Sequence, residues 1–253
     1  MNWSLHFLGT GDARAGLPLG NSAAVLERDG DPVLLIDCGP LAIERYFEAY
    51  GAPPPAVYVT HTHLDHVGGF ERLFIAAHFK SASQRPTRVY VHVDVLPLLH
   101  ARVADYRNVL AEGGANFWES FRLVPCRRGF WLDGLWFDLF GTRHHAPGTS
   151  YGLRLRGALV YTGDTRPIPE VLAAVGDHGE PVAHDCALHG NPSHSGLDDL
   201  EREYPPELRE RLLLYHYASV ADADAMAARG FRVARPGERI ALKAPLPVPE
   251  SAG

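Results

Sequence analysis

Residues 59–70 read VTHTHLDHVGGF and hold three histidines and one aspartate within six positions. His61 and His63 are two residues apart, so their side chains point to the same side of an extended segment. Asp65 and His66 follow where the chain would turn into a helix, and the preceding AVYV is typical of a strand. Neutral imidazole and carboxylate suit zinc, iron or manganese. The stretch therefore predicts a metal site at a strand end.

More ligand-type residues follow other predicted strands. GTRHHAPGTSYG places His144 and His145 after one strand, and LVYTGDT ends another strand at Asp164. LLLYHYAS places His216 at the end of a third. Each residue alone is more often structural, but binding sites gather where several strands end. Because the first cluster offers few ligands for two metals, we expect these distant residues to complete it.

The pattern resembles the metallo-β-lactamase superfamily, whose signature H-x-H-x-D-H appears as His61-Thr-His63-Leu-Asp65-His66. The resemblance covers about residues 4–220 and implies an α/β fold, a four-layer αβ/βα sandwich with two divalent metal ions. Zinc is the expected metal, with manganese or iron as alternatives. The implied metal ligands are His61, His63 and His145 for one ion, Asp65, His66 and His216 for the other, and Asp164 as the bridge. His145 is preferred to His144 because HAPGTS is similar to the family pattern H-x-P-G.

The implied centre keeps a small positive charge. Two divalent ions carry four positive charges, and two aspartates with one bridging hydroxide cancel three of them. About one positive charge then remains, which suits an anionic substrate. The resemblance therefore implies hydrolysis by a metal-bridging hydroxide, with Asp65 as a catalytic residue through its place in the second metal site.

A later stretch narrows the expected reaction. The order of the H-E, H-S and last-ligand segments in the branch of the tRNA 3′-processing endonuclease and small phosphodiesterases is matched by His184-Asp185, then His194-Ser195, then YHYAS, with Asp185 replacing Glu. The resemblance implies that His194 is catalytic and stabilises charge or protonates the leaving oxygen. His184 and Asp185 would orient ligands or pair with His194. The alternative is that NPSHSG is a polar surface turn.

Charge and composition limit the partners. The 253 residues carry a net charge of −6 with scattered basic residues, which disfavours long nucleic acid. A small-molecule or short nucleotide phosphodiester is the expected substrate, and a homo-oligomer is left open. No apolar run is long enough to span a bilayer, and we expect no secretory leader from the N-terminal stretch. Three widely spaced cysteines do not form a disulfide framework, so we expect a cytoplasmic location.

We expect one metallo-β-lactamase-like domain over residues 1–253, with a helical segment at about 94–130 that covers the pocket. That segment is rich in aromatic residues, for which local core packing is the alternative explanation: Tyr106, Phe117, Trp118 and Phe121. Two other reaction classes remain open at this stage. One is a lactonase or thioesterase on the same dinuclear centre, and the other is an iron-dependent oxidoreductase.

Overall fold

The computed structural model describes residues 1–79, 86–104 and 115–248. Within these ranges, two seven-stranded sheets face each other. The strands, in chain order, are β1 Trp3–Gly9, β2 Ala23–Arg28, β3 Asp31–Ile36, β4 Ala56–Val59, β5 Thr87–His92, β6 Phe121–Cys126, β7 Gly129–Leu132, β8 Leu135–Gly141, β9 Tyr151–Leu155, β10 Leu159–Tyr161, β11 Val182–Asp185, β12 Leu212–Tyr215, β13 Arg232–Val233 and β14 Arg239–Leu242. The first sheet has the order β14-β1-β2-β3-β4-β5-β6, and the second has β13-β12-β11-β10-β9-β8-β7.

Helices cover the outer face of each sheet. Those on the first sheet are α1 Pro40–Tyr50, α2 Leu64–Val67, α3 Phe70–His78 and α4 Leu96–Val103. Those on the second sheet are α5 Pro169–Val175, α6 Leu197–Glu203, α7 Pro206–Arg209 and α8 Val220–Ala228. Strands β3 to β6 run parallel in one sheet, and β10 to β13 run parallel in the other. Their carboxyl ends therefore place several loops at common sheet edges.

Strand β4 shows why the buried strands are uniformly apolar. Ala56 and Tyr58 pack in the core between the two sheets, whereas Val57 and Val59 pack against the helices of the first sheet. Successive side chains alternate between faces, so a strand buried on both faces needs apolar residues at every position. The layers run helices, sheet, sheet, helices, which confirms the predicted four-layer αβ/βα sandwich.

The segment at 94–130 differs from the prediction of a helical insertion. Residues 96–103 form α4 and residues 117–120 form a 3-10 turn, but β6 and β7 occupy 121–126 and 129–132, so the helix prediction was wrong there. Tyr106 lies outside the described residues. Phe117 and Phe121 are buried and contact the rings of Phe70 and Phe74. Local core packing therefore accounts for these two aromatic residues.

The described residues bear on membrane-spanning helices and on disulfide bonds. No helix among them has the length and apolar character needed to cross a membrane. The three cysteines, which the structure describes, are buried and form no disulfide: Cys38, Cys126 and Cys186.

The buried carboxylate of Glu180 forms hydrogen bonds with several segments of the second sheet, away from the histidine cluster. Glu180 accepts hydrogen bonds from Arg154 Nε at 3.1 Å and Nη2 at 3.0 Å. It also accepts from the backbone N–H groups of Gly157, at 2.9 Å, and His178, at 3.0 Å. Burial alone would raise the pKa of Glu180, but these donors and the guanidinium outweigh it and lower the pKa. The charged form is therefore the one that stabilises the fold.

We expect Glu180→Gln to lower the free energy of unfolding by about 3 kcal/mol at pH 7, because the Arg154 guanidinium loses its buried partner. The folded-state pKa lies below that of the unfolded chain, which is about 4.3. The stabilisation is thus complete above that value and is lost as pH falls through the folded-state pKa. Urea denaturation of both proteins from pH 7 to pH 3 measures it. An energy gap that stayed constant across this range would contradict the prediction.

Candidate metal centre

The histidines and aspartates collect at the loops that follow several strands. His61 and His63 follow β4, Asp164 follows β10 and His216 follows β12. His144 lies in the loop after β8. The two sheets therefore contribute ligand-type residues from both sides to one small volume, as the sequence predicted.

Two left-handed backbone positions bring these loops together. His216 has a φ of 69°, and its N–H donates to the carbonyl of Thr10 at 2.7 Å. Gly163 has a φ of 64°, and a Cβ there would lie only 3.0 Å from the Cβ of Thr60. Glycine permits both the backbone angle and this close approach. As a result, Asp164 lies directly beside the loop that carries His61.

One group of side chains comprises three histidines and Asp164. The Nδ1 atom of His63 lies 3.1 Å from His61 Nε2 and 3.1 Å from His144 Nε2. Asp164 Oδ2 lies 3.6 Å from His61 Nε2 and 3.7 Å from His144 Nε2. One ligand atom from each of the four side chains lies within 4.8 Å of the others, which is the spacing expected around one metal ion.

The second group adjoins the first through the same carboxylate. His66 Nε2 lies 3.4 Å from Asp65 Oδ2 and 3.4 Å from Asp164 Oδ2. His216 Nε2 lies 3.6 Å from Asp65 Oδ2 and 3.3 Å from Asp164 Oδ2. Asp164 Oδ2 is therefore close to the Nε2 atoms of histidines in both groups. This is the position that a bridging carboxylate would take.

The buried polar atoms of the ligand cluster that lack hydrogen-bond partners could coordinate a cation. Within the described residues, His66 Nε2, His216 Nε2 and both carboxylate oxygens of Asp164 are buried and have no hydrogen-bond partner. Each such atom costs about 1–3 kcal/mol if nothing satisfies it. Because these atoms converge, divalent ions would satisfy all of them at once. The donor atoms are imidazole nitrogens and carboxylate oxygens, which suit zinc, manganese or iron.

The protonation of the cluster also favours metal binding. Burial and neighbouring imidazoles hold the pKa of His61 well below its ordinary value and lower that of His63 to about 4. Both rings are therefore neutral and offer lone pairs. Burial would raise the pKa of Asp164, but His216, His66 and His61 outweigh it and keep the carboxylate charged. Burial would lower the pKa of His66 and His216 as well, but Asp164 and the neighbouring carboxylates outweigh it and raise the pKa of both rings well above the ordinary value. A divalent cation bound there would displace these protons, as metal binding to histidine does.

The structure places His144, rather than the expected His145, in the ligand group. His144 is buried, and its Nδ1 donates to the carbonyl of Ser193 at 2.9 Å, which leaves Nε2 free to act as a ligand. His145 is exposed, and its Nε2 lies 2.8 Å from His63 Nε2, the nitrogen on the far side of that ring. The geometry favours His144 over His145, which the family pattern H-x-P-G favoured, although both rings contact His63.

A buried aspartate orients two of the histidines. Asp37 Oδ2 accepts from His66 Nδ1 at 2.8 Å and from the hydroxyl of Thr60 at 2.8 Å. The Thr60 oxygen then accepts from His61 Nδ1 at 3.0 Å. Both imidazoles thus carry their protons on Nδ1 and present Nε2 to the cluster. Groups that fix a ligand's tautomer in this way tune metal affinity.

We expect Asp37→Asn to weaken metal affinity by about 10–100-fold, because His66 and Thr60 lose their common acceptor. Competition with a chromophoric chelator measures the affinity directly. Asp198, an exposed aspartate paired with Arg229, provides the control as Asp198→Asn, which should leave the affinity at its original value. Equal affinities of the Asp37→Asn variant and the original protein would refute the orienting role.

A second carboxylate joins His194 to the cluster. Asp185 Oδ2 accepts from His194 Nδ1 at 2.8 Å, and Asp185 Oδ1 lies 3.3 Å from His216 Nδ1. Burial would lower the pKa of His194, but the hydrogen bond and charge of Asp185 outweigh it and raise the pKa. His184, by contrast, faces the hydroxyl of Tyr204 at 2.7 Å and contacts neither His194 nor a predicted ligand. His194 therefore lies at the cluster, although it ends a turn in which Asn191 and Pro192 are exposed.

A cavity of about 640 Å³ opens onto the cluster. Its walls include His63, Asp65, Asp164, His194 and His216, so predicted ligands and the predicted catalytic histidine share one space. A volume of this size accommodates a small molecule. Other wall residues went unnoticed in the sequence, because no motif marks them: Asp12, Arg14, His189 and Asp222.

Comparisons with known proteins add the family context. The family model described as anti-Pycsar protein Apyc1 matches residues 3–240. A relative with that name in Saccharibacillus brassicae is 34% identical over 225 residues, which cover 85% of this chain and 90% of the relative. Eight curated relatives match with significance, and all eight carry that name. The family model therefore covers most of the chain, which is a more specific match than the branch that the motifs suggested.

Solved structures agree on the fold. The metallo-β-lactamase fold protein YhfI from Bacillus subtilis superposes with a TM-score of 0.74 at 16% identity, covering 95% of this chain and all of that one. A diphosphatase from the PhnP family gives a TM-score of 0.75 at 17% identity, covering 97% and 99% of the two chains. At these identities the likeness concerns the fold alone. It confirms the metallo-β-lactamase fold that the sequence predicted.

Proposed function

This chain belongs to the anti-Pycsar protein Apyc1 family, and from that membership we propose that it is a dinuclear-metal phosphodiesterase that opens small cyclic nucleotides. Anti-Pycsar activity implies a small cyclic nucleotide as substrate. The observation that carries the proposal is the contact of Asp185 with both His194 and His216 at the wall of the 640 Å³ cavity. This contact links His194, the proposed proton donor, to the ligand cluster.

The proposed ligands fall into two sets that share Asp164. His61, His63 and His144 would hold one ion, and Asp65, His66 and His216 would hold the other. When bound, two divalent ions supply a hydroxide nucleophile near neutral pH and neutralise charge on the phosphoryl oxygens. Zinc, manganese and iron all suit this donor set, and we propose zinc.

The protein's own residues would assist departure of the leaving group. A sugar alkoxide is a poor leaving group, so its oxygen needs a proton as the P–O bond breaks. Asp185 holds His194 Nδ1, which leaves Nε2 for the cavity that His194 lines. His194 Nε2 would give its proton to the sugar oxygen, and the proton freed when water becomes hydroxide would restore it. One water is consumed, and the ring opens to a nucleoside monophosphate.

The cavity favours a small substrate over a polymer. The cluster lines a cavity of about 640 Å³, and the protein carries a net charge of −6. A cyclic nucleotide carries one negative charge, which the two metal ions would attract locally. Long nucleic acid instead requires an extended basic surface. We also propose a cytoplasmic location, which the three unpaired thiols support.

A substrate panel tests the proposed function. Purified protein with added zinc or manganese is given cyclic AMP, cyclic GMP, bis-p-nitrophenyl phosphate, a lactone and a thioester. We expect hydrolysis of the phosphodiesters, with nucleoside monophosphates identified by chromatography. Turnover of the lactone or thioester alone would overturn the proposal. Oxygen consumption with bound iron and without phosphodiester cleavage would indicate the oxidoreductase instead.

The choice between the adjacent histidines gives a further prediction. His144→Ala is expected to lose about one of the two metal equivalents, because Nε2 of His144 lies within 3.1 Å of His63 Nδ1 inside the ligand group. His145→Ala should retain both equivalents, since the His145 nitrogen contacts His63 at Nε2, on the side away from the ligand group. Metal analysis of the dialysed proteins measures the difference. The reverse result, loss in His145→Ala alone, would restore His145 as the ligand.

A further inference from the structure

Two kinds of residue line the cavity beside the cluster. One kind comprises the ligand residues and His194. The part of the lining without these residues, called the outer half, includes the apolar Ala187, Leu188 and Ala218 together with Arg14 and Asp222. Arg14 is the only arginine or lysine among the residues that line this cavity. A flat, weakly polar group with hydrogen-bonding edges would suit the outer half.

Arg14 is held in place although its side chain is largely exposed. Its Nε and Nη2 atoms donate to Asp12 Oδ2 at 3.1 and 2.6 Å, and its backbone N–H donates to Asp12 Oδ1 at 2.9 Å. Asp12 itself is 8% exposed. An arginine fixed at three points loses less conformational freedom when it binds a ligand. Its Nη1 donors have no acceptor among the described residues and remain free.

The turn that carries Arg14 is joined to the metal cluster. The backbone N–H of Asp12 donates to the carbonyl of Tyr217 at 3.2 Å, and Tyr217 directly follows His216. The N–H of His216 donates to Thr10, two residues before Asp12. Arg14 therefore holds a fixed position relative to the proposed ligand His216, as a specificity residue must.

We propose that the outer half is a nucleobase subsite in which Arg14 recognises a ring carbonyl oxygen. The proposal rests on the phosphodiesterase function and deepens it. A phosphate placed at the inner cluster directs the base outward, where its faces contact Ala187, Leu188 and Ala218. Arg14 then donates to an acceptor on the base edge, as arginine does to guanine O6 and N7. Adenine presents an amino group where guanine has O6, so Arg14 favours guanine over adenine.

Arg14→Gln tests the subsite with two purines of similar size. We expect kcat/KM for cyclic GMP to fall about 10-fold, the loss of one charge-assisted hydrogen bond, mainly through KM. The loss for cyclic AMP and for bis-p-nitrophenyl phosphate should be about 2-fold or less. Arg88→Gln is the matched control, because Arg88 pairs with Asp133 in a similar two-point contact and lines none of the cavity described here. Arg14→Lys should behave like Arg14→Gln, because it keeps the charge but loses the two-point contact with Asp12 that places the remaining donors.

The outcomes separate the subsite from the function. Equal losses for all three substrates, with recovery in Arg14→Lys, would show simple attraction of anions and overturn the subsite. Unchanged kinetics in Arg14→Gln would also overturn it while leaving the phosphodiesterase proposal intact. If the original protein cleaves bis-p-nitrophenyl phosphate but no cyclic nucleotide, both the cyclic-nucleotide function and the subsite are wrong. Melting temperatures confirm that each variant is folded.

Discussion

Asp164→Asn is expected to reduce kcat/KM for every phosphodiester by about 1,000-fold or more, the largest effect of any single substitution considered. Asp164 Oδ2 lies 3.3–3.7 Å from the Nε2 atoms of His216, His66, His61 and His144. An amide carries no charge and has one oxygen, so it cannot replace a carboxylate shared by two cations. The charge and geometry of both proposed metal sites are therefore lost together.

Metal analysis and kinetics of the same protein sample test this prediction. Asp164→Asn should retain fewer than two metal equivalents after dialysis, whereas the exposed control Asp198→Asn should retain two. Circular dichroism shows whether the variant is folded. A folded Asp164→Asn protein with two metals and undiminished kcat/KM would show that the bridge lies elsewhere, and the assignment of both ligand sets would then fail.

Short spacing in the chain and the pattern of the strands explain why the cluster could be identified from the sequence. His61, His63, Asp65 and His66 are close in the chain, so local geometry already brings them together. Asp164 and His216 were identifiable because each follows an apolar strand, and the parallel strands end on the same side of the molecule. Such positions depend on strand periodicity, which a sequence displays directly.

The preference for His145, where the geometry favours His144, has a different origin. Both residues lie in an irregular loop, where no period determines which side chain faces inward. The inward orientation of His144 is set by the carbonyl of Ser193, which lies 49 residues away in the chain. Contacts of this kind depend on the tertiary structure, and neither spacing nor residue type indicates them.

Arg14 and the strand β6 illustrate two further limits of the sequence. The proposed role of Arg14 depends on its pairing with Asp12, whose N–H donates to Tyr217, and the sequence DAR gives no sign of a cavity. The stretch that forms β6, FRLVPC, reads as strand-like only once its parallel pairing with β5 is known. Aromatic residues before it suggested a helical cover, whereas Phe117 and Phe121 belong to the core. Tertiary pairing overrides such local signals.

His194→Ala is expected to separate poor leaving groups from good ones. The proposed proton donor matters when a sugar alkoxide departs, so kcat for cyclic nucleotides should fall about 100–1,000-fold. p-Nitrophenolate leaves without a proton, so bis-p-nitrophenyl phosphate should lose about 10-fold or less. A purely structural role would lower both rates equally. Asp185→Asn should show the same selective pattern more weakly, because it removes the acceptor at His194 Nδ1 but keeps the imidazole.

The control for this experiment is His178→Ala. His178 lies in the loop before β11, whereas His194 contacts Asp185 at the other end of that strand. It should leave the ratio of the two rates unchanged. The metal content of His194→Ala is measured in parallel, because His194 Nδ1 also lies 3.9 Å from Asp164 Oδ2. Full metal content with a selective loss on cyclic nucleotides would establish His194 as the proton donor. Lost metal with equal losses on both substrates would instead identify it as a ligand, and the proposed departure step would then need another acid.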